Sequence, residues 1–244
     1  MATHPYELET SPPAWPRPRT PRLPPLENGD RLNSSEFLAR WKETPWIKRA
    51  ELIEGIVYMN AAVRLEFHGS PHLTLAAWLG TYLLMTPGLD GGDNTTIVLD
   101  EENLPQPDLF LYLMPIRGGQ TRGRRDGHLI GAPELVVEIA ASSSGLDLHA
   151  KRQIYERFGV KEYVVWRVLD EAFAIFDRQE GSLMPVVPVA DGVWKSRTFP
   201  GLWLDTAAVV RRDGPAMLAR LAEGMATPEF AAFRDRVPPP APPA

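Results

Sequence analysis

Residues 133–151, PELVVEIAASSSGLDLHAK, restrict the fold more than any other stretch of the chain. They open as a buried strand does, with Leu135, Val136 and Val137, then Ile139, Ala140 and Ala141. Apolar residues on both alternating faces mark a strand covered from both sides. Glu138 stands in the middle of it. An ionised carboxylate in that setting is costly unless a partner holds it. The segment therefore predicts a covered sheet and a partner for Glu138.

The rest of the chain supplies the elements for such a sheet. NSSEFLARWKE (33–43) reads as a short helix, with Asn33 and Glu36 at capping-box spacing. AELIEGIVYMN (50–60) reads as two short strands around a tight Glu54-Gly55 turn. SPHLTLAAWLGTYLLMTPG (70–88) reads as a helix. Pro71 suits its first turn, Leu75, Leu79, Tyr82 and Leu83 recur at helical spacing, and Pro87-Gly88 ends it. NTTIVLD (94–100) and PDLFLYLM (107–114) read as strands, followed by a polar connection over 115–133. After the strand at 134–141, a helix is expected from about residue 146 to 158. Ser144 and Asp147 have capping-box spacing, and Gly159 is placed to end that helix. EYVVWRVL (162–169) and AFAIFDRQ (172–179) read as strands, and LMPVVPV, VWKSRTF and LWLD as shorter ones. PAMLARLAEGM and PEFAAFRDRV read as terminal helices.

The expected fold class is α/β (α+β), a mixed β-sheet flanked by helices in one domain over residues 33–236. Residues 1–30 carry eight prolines, so residues 1–32 read as a proline-rich extended arm. Residues 237–244 hold five more prolines and read as a loose tail. No internal repeat is visible.

Composition removes several function classes. The chain has no cysteine, which excludes disulfides, thiol nucleophiles and cysteine-based zinc sites, and fits a cytoplasmic location. No run approaches the roughly 18 apolar residues of a membrane span. The N-terminus has no apolar core of a secretory signal. A net charge of −5 and a pI near 5.6 argue against a broad electrostatic nucleic-acid binder. Contact with nucleic acid would have to come from a local patch.

The acids define the candidate chemistry. Asp108 opens one apolar strand and Glu138 lies inside another, with a connection long enough to bring the two side by side. Paired acids repel and raise a pKa unless a cation lies between them. Oxygen ligands without cysteine favour Mg2+ or Mn2+ over zinc. Such an ion can polarise a phosphoryl oxygen and supply a hydroxide. Lys151, one turn or so into the following helix, is the candidate to stabilise charge on the phosphate. Asp147 and Lys151 also stand at i and i+4, so a surface ion pair worth roughly a few tenths of a kcal/mol is an equal alternative.

These residues carry a resemblance. QPD at 106–108, PELVVEIA at 133–140 and DLHAKRQIYERFGVKEYVVWRVLD at 147–170 resemble the PD-(D/E)XK nuclease fold. More narrowly, the chain is similar to a large family of bacterial restriction-endonuclease-like proteins abundant in cyanobacteria and actinobacteria. ELIEG at 51–55, His68, the Pro107-Asp108 pair, Asp147, Lys151, Tyr155 and the Gly159-Val160-Lys161-Glu162-Tyr163 run follow that family's pattern over roughly residues 46–205. The resemblance implies a metal-dependent phosphodiesterase with Asp108 and Glu138 as metal ligands. It also exposes a departure. The general nuclease pattern has its Lys two residues after the Glu, where this chain has Ala140. Lys151 is the candidate replacement; without it, the fold binds metal or nucleic acid and does not cut.

The remaining candidates have competing readings. Glu51 is a candidate third acid, against a solvated hairpin charge. His68 is a candidate hydrogen-bond partner of the site, against a surface histidine at a helix start. His68 and His72 have i, i+4 spacing, but the companion Glu of a zinc helix is missing, with Gly69 in its place. Tyr155 could fix the Lys151 rotamer, against ordinary core packing. Ser142, Ser143 and Ser144 lack the G-x-S-x-G surroundings of a serine nucleophile and suit a helix cap. Arg117, Arg122, Arg124 and Arg125 form the one concentrated basic patch, a candidate for phosphate contacts or simply a solvated loop. Their loop, GGQTRGRRDG, lacks the Gly-Lys-Ser/Thr ending of a P-loop.

The leading expectation is an Mg2+- or Mn2+-dependent endonuclease acting on nucleic acid, DNA ahead of RNA, without membrane association. By analogy with many nucleases of this fold, it is expected to be a homodimer. The alternatives are a nuclease-fold module that binds without cutting, and a structural subunit whose proline-rich ends recruit partners.

Overall fold

The computed structural model describes residues 23–59, 64–123, 127–141, 145–186 and 192–236, with only the backbone of Asp147. The arm before residue 23 and the tail from residue 237 lie outside this range. So do Ser142, Ser143, Ser144, Arg124 and Arg125.

In chain order the elements are α1 (Ser34–Glu43), β1 (Glu51–Ile53), β2 (Ile56–Tyr58), α2 (Ser70–Leu84), β3 (Leu89–Asp93), β4 (Ile97–Val98), β5 (Leu109–Leu113), β6 (Arg122–Gly123), β7 (Leu129–Ile130) and β8 (Leu135–Ala140). Then come α3 (Arg152–Arg157), β9 (Glu162–Arg167), β10 (Ala172–Gln179), β11 (Ser182–Pro185), β12 (Val193–Lys195), β13 (Trp203–Asp205), α4 (Thr206–Val210), α5 (Gly214–Met225) and α6 (Pro228–Arg234). Six strands form the central sheet, in the order β11-β10-β9-β8-β5-β3. β8 and β9 run parallel, joined through α3, and the other neighbours are antiparallel. The expected mixed sheet flanked by helices is therefore present.

β8 is buried at every residue because each face meets a different layer. Leu135, Val137 and Ile139 pack with Leu75, Trp78 and Leu79 of α2 and Leu221 of α5. Val136 and Ala140 pack with Tyr155 of α3, Tyr163 and Phe176. Strand alternation puts Glu138 on this second face, toward α3. Burying each large aliphatic side chain contributes about 1.5–3 kcal/mol, so the strand cannot slip by one residue without exposing a whole face.

Four differences from the expected elements have physical reasons. β3 was not expected, because LDGGD lacks the β-branched residues of a strand. Its glycines are there for close approach: a Cβ on Gly91 would lie 2.5 Å from the Phe110 carbonyl oxygen. The strand expected over 94–100 shrinks to β4, and the polar connection contributes β6 and β7, which complete a small sheet with it. The helix expected from residue 146 starts as a wider π-helical turn, Leu146–Lys151, before α3. Gly159 adopts a φ of +89° and ends that helix as expected. The segment from Leu23 to Leu32, expected as part of the arm, joins the body: Leu26 is buried against Phe37, Leu52 and Val57. Among the described residues no helix is long and apolar enough to cross a membrane.

Candidate active site

The register of β5 against β8 creates the site. Leu109 faces Val137, so the next pair along the antiparallel ladder is Asp108 and Glu138. The two acids interlock through backbone groups. Asp108 N donates to Glu138 Oε2 at 3.3 Å, and Ile139 N donates to Asp108 Oδ2 at 2.8 Å. Both residues are buried, 3% and 2% exposed.

Lys151 answers the question that Glu138 raises. Its Nζ lies 2.9 Å from Glu138 Oε1 and 2.9 Å from Glu51 Oε1. Lys151 is 3% exposed, so the reading as a surface ion pair is corrected. The π-helical turn brings it over the face of β8 that carries Glu138 and Ala140. A Lys at position 140 would project from that same face. Lys151 thus meets Glu138 from the next element. Tyr155, one turn on, donates its hydroxyl to Glu138 Oε1 at 3.2 Å and packs its ring on Tyr163. The ring is core packing, and the hydroxyl meets Glu138, the partner of Lys151.

Glu51 is 1% exposed, which removes its reading as a solvated hairpin charge. Its Oε1 accepts from Gln106 N at 2.7 Å, and its Oε2 is buried without a hydrogen-bond partner. His68 sits in a π-helical turn, Leu65–Gly69, ahead of α2. Its Nε2 lies 3.0 Å from Asp108 Oδ1. His72 Nε2 lies 3.0 Å from the Asp108 carbonyl oxygen, and the two rings stack at 5.8 Å. Both acceptors can only accept, so each Nε2 carries the proton.

Arg49 is the site residue that the sequence did not bring forward. Its Nη2 lies 2.7 Å from Asp108 Oδ1 and 3.3 Å from the Gln106 carbonyl oxygen. A signal was there: Arg49 is two residues before Glu51, so an extended β1 puts both on one face. Burial pushes the Asp108 carboxyl up, but the His68 hydrogen bond and the Arg49 charge outweigh it and hold it well below the usual range. Burial opposes the Arg49 charge in turn, and Asp108, Glu51 and Glu138 together raise its pKa. Three buried carboxylates thus face the Arg49 guanidinium and the Lys151 amine.

A family model described as "Uma2: Putative restriction endonuclease" matches residues 35–207, more than half of the chain. The chain belongs to the Uma2 family. All of the residues just named lie inside the matched segment, whereas α5 and α6 follow it. A solved structure described as "a putative nuclease belonging to DUF820 from Anabaena variabilis ATCC 29413" is similar, with a TM-score of 0.54 and 12% identity. The match covers 69% of this chain and 97% of that one, and it shows the shared restriction-endonuclease-like fold. No curated protein matches the chain.

The Uma2 core can be tested for the divalent ion that its family implies. Among the described residues no group of three or more His, Asp or Glu side chains is arranged to hold a metal. Mg2+, however, is typically held by one or two carboxylates and keeps several waters. Asp108, just ahead of β5, and Glu138 on β8 supply that number, and the unpartnered Glu51 Oε2 is a further hard oxygen nearby. The donor set fits a hydrated hard ion.

Of the basic patch, the two described arginines, Arg117 and Arg122, do not gather at this site. Arg117 binds the carbonyl oxygens of Pro87, Phe233 and Arg234 and stacks 4.5 Å over Phe233, tying α6 to the body. Arg122 bonds the Gly119 and Thr121 carbonyl oxygens. Arg124 and Arg125 lie outside the described residues.

Proposed function

We propose that the chain is an Mg2+- or Mn2+-dependent endonuclease that hydrolyses phosphodiester bonds of nucleic acid, DNA in preference to RNA. One observation carries this reading. Lys151 Nζ sits 2.9 Å from both Glu138 and Glu51, beside Asp108, in a chain of the Uma2 family. Asp108 and Glu138 are the residues that would hold the ion. When bound, such an ion polarises a phosphoryl oxygen and lowers the pKa of a water on it. Lys151 holds a positive charge where negative charge builds on the phosphate. Glu51 Oε2, which has no partner, is the acceptor at hand for the proton of the attacking water. Tyr155 and the Gln106 amide hold Glu138 and Glu51 in position. Function as a homodimer, in the cytoplasm, completes the reading; the first part rests on analogy with the fold and the second on the lack of cysteine.

A second reading, a nuclease-fold module that binds nucleic acid or protein without cutting, is favoured by a different observation. Both Asp108 oxygens are already engaged, Oδ1 by Arg49 and His68 and Oδ2 by Ile139 N. One experiment separates the two. The full chain is incubated with Mg2+ or Mn2+ and plasmid, single-stranded DNA or RNA, beside Glu138→Ala. Metal-dependent nicking that Glu138→Ala abolishes supports the enzyme. No cutting by the wild type, or equal cutting by the variant, leaves the binding module.

A further inference from the structure

Arg49 is unusual among the buried groups of the site. It is held by Asp108 Oδ1 and the Gln106 carbonyl oxygen through one nitrogen, Nη2, while its Nε is buried without a partner. A buried N–H donor without an acceptor is costly, and few are left in native proteins. Burial desolvates this guanidinium, and the charges of Asp108, Glu51 and Glu138 outweigh that cost. Asp108 is also one of the two residues that would hold an ion, and Arg49 sits on its Oδ1 at 2.7 Å. Arg49 is thus a cation placed on a candidate ligand of the ion, with one donor still to satisfy.

We propose that Arg49 is a resident counterion of Asp108 that yields the carboxylate to the divalent ion and then binds the substrate phosphate through its guanidinium fork. This rests on the endonuclease reading above and deepens it. The fork presents parallel N–H donors matched to phosphate oxygens, and Nε is the donor left for such an acceptor. The side chain is 19% exposed, so its head can turn toward solvent and a bound phosphate without opening the core. Arg49 is a positioning residue in the resting state and touches substrate in the loaded one. Metal affinity is then reduced by the fraction of molecules in which Arg49 holds Asp108. If that fraction is about nine in ten, removing the guanidinium tightens the ion by about tenfold.

The test is calorimetric titration of the full chain with Mn2+. Arg49→Gln is expected to bind Mn2+ about tenfold more tightly than the wild type. Lys48→Gln removes an exposed charge one residue away and is expected to change nothing, which separates displacement from general charge. Asp108→Asn is expected to lose binding. With Mn2+ saturating, cleavage by Arg49→Gln should fall mainly in kcat. A measurement without any variant keeps the test open should Arg49→Gln not fold: the 15N resonance of Arg49 Nε moves as Mg2+ is titrated in. The proposal is overturned if the wild type binds Mn2+ and folded Arg49→Gln binds it no tighter, or if Nε stays fixed as Mg2+ binds. A wild type that binds no ion, with Asp108→Asn indistinguishable from it, instead overturns the endonuclease reading together with this one.

Discussion

Replacing Lys151 with Met tests whether the centre of the site is a buried charge network. At 2.9 Å and an effective dielectric near 20, each carboxylate contact is worth about 6 kcal/mol before desolvation is subtracted. Burying the ammonium offsets much of that. The useful figure is the cost of leaving its partners behind. Removing one member of a buried pair costs about 3–5 kcal/mol, because the remaining charge stays buried and unpaired. Here two carboxylates are left, Glu51 at 1% and Glu138 at 2% exposure. Met fills a similar volume, so little of the loss comes from a cavity. Lys151→Met is expected to lose about 4 kcal/mol by urea denaturation and to melt roughly 10 °C lower. Adding Glu138→Gln removes one of the stranded charges and should restore at least about 1 kcal/mol, so the double variant is more stable than the sum of the two singles. A loss below about 1 kcal/mol, the range of exposed pairs, would refute the argument, as would simple additivity.

Two further outcomes follow from other parts of the sheet. Burial pushes the Glu162 carboxyl up to about 7, against the hydrogen bonds from Ser196, Thr198 and Arg197 and with help from the nearby Asp177. The folded state therefore holds that proton more tightly than the unfolded chain, so stability falls as pH rises from about 4.5 to about 7, by roughly 3 kcal/mol at most; urea midpoints across this range should fall for the wild type and stay flatter for Glu162→Gln. Gly91→Ala puts a Cβ 2.5 Å from the Phe110 carbonyl oxygen, so β3 must move off β5, at a cost of about 1–3 kcal/mol measured by thermal melting; an unchanged melting temperature would show that the edge gives way freely.

The parts of the fold legible in the sequence are those where one local rule decides. Asn33 caps α1 by accepting from Glu36 N, as the spacing predicted, and AFAIFDRQ is β10 residue for residue. β3 was illegible because its glycines answer to a neighbour's backbone, not to strand propensity. β4, β6 and β7 are two residues each and exist only by pairing with one another. In the site, Asp108, Glu138 and Lys151 could be read because the sheet order follows from the segment lengths and a known pattern. Glu51 and His68 could be named but not placed. Arg49 was missed because an Arg beside a hairpin looks solvated, and only the fold brings it 59 residues along the chain to Asp108.

Glu138 and Glu162 show why burial of an acid does not by itself mark a site. Both lie in neighbouring parallel strands, in which Leu135 faces Glu162 and Glu138 faces Val165. Both are nearly inaccessible. Alternation turns them to opposite faces of the sheet. Glu162 is satisfied by the Ser196 hydroxyl at 2.6 Å and by the amides of Arg197 and Thr198 at 2.6 and 3.1 Å. Neutral donors of this kind fix the turn after β12, and a proton can replace the charge. Glu138 instead faces an ammonium that it shares with Glu51, and its neighbour Asp108 holds a guanidinium. A neighbouring cation favours the ionised carboxylate, as it does at Asp108, and an ionised carboxylate is what a divalent ion needs. The two acids thus differ in what holds them: neutral donors at Glu162, cationic side chains around Glu138, Glu51 and Asp108. Glu162 needs no cation once it carries its proton, and so it holds a turn.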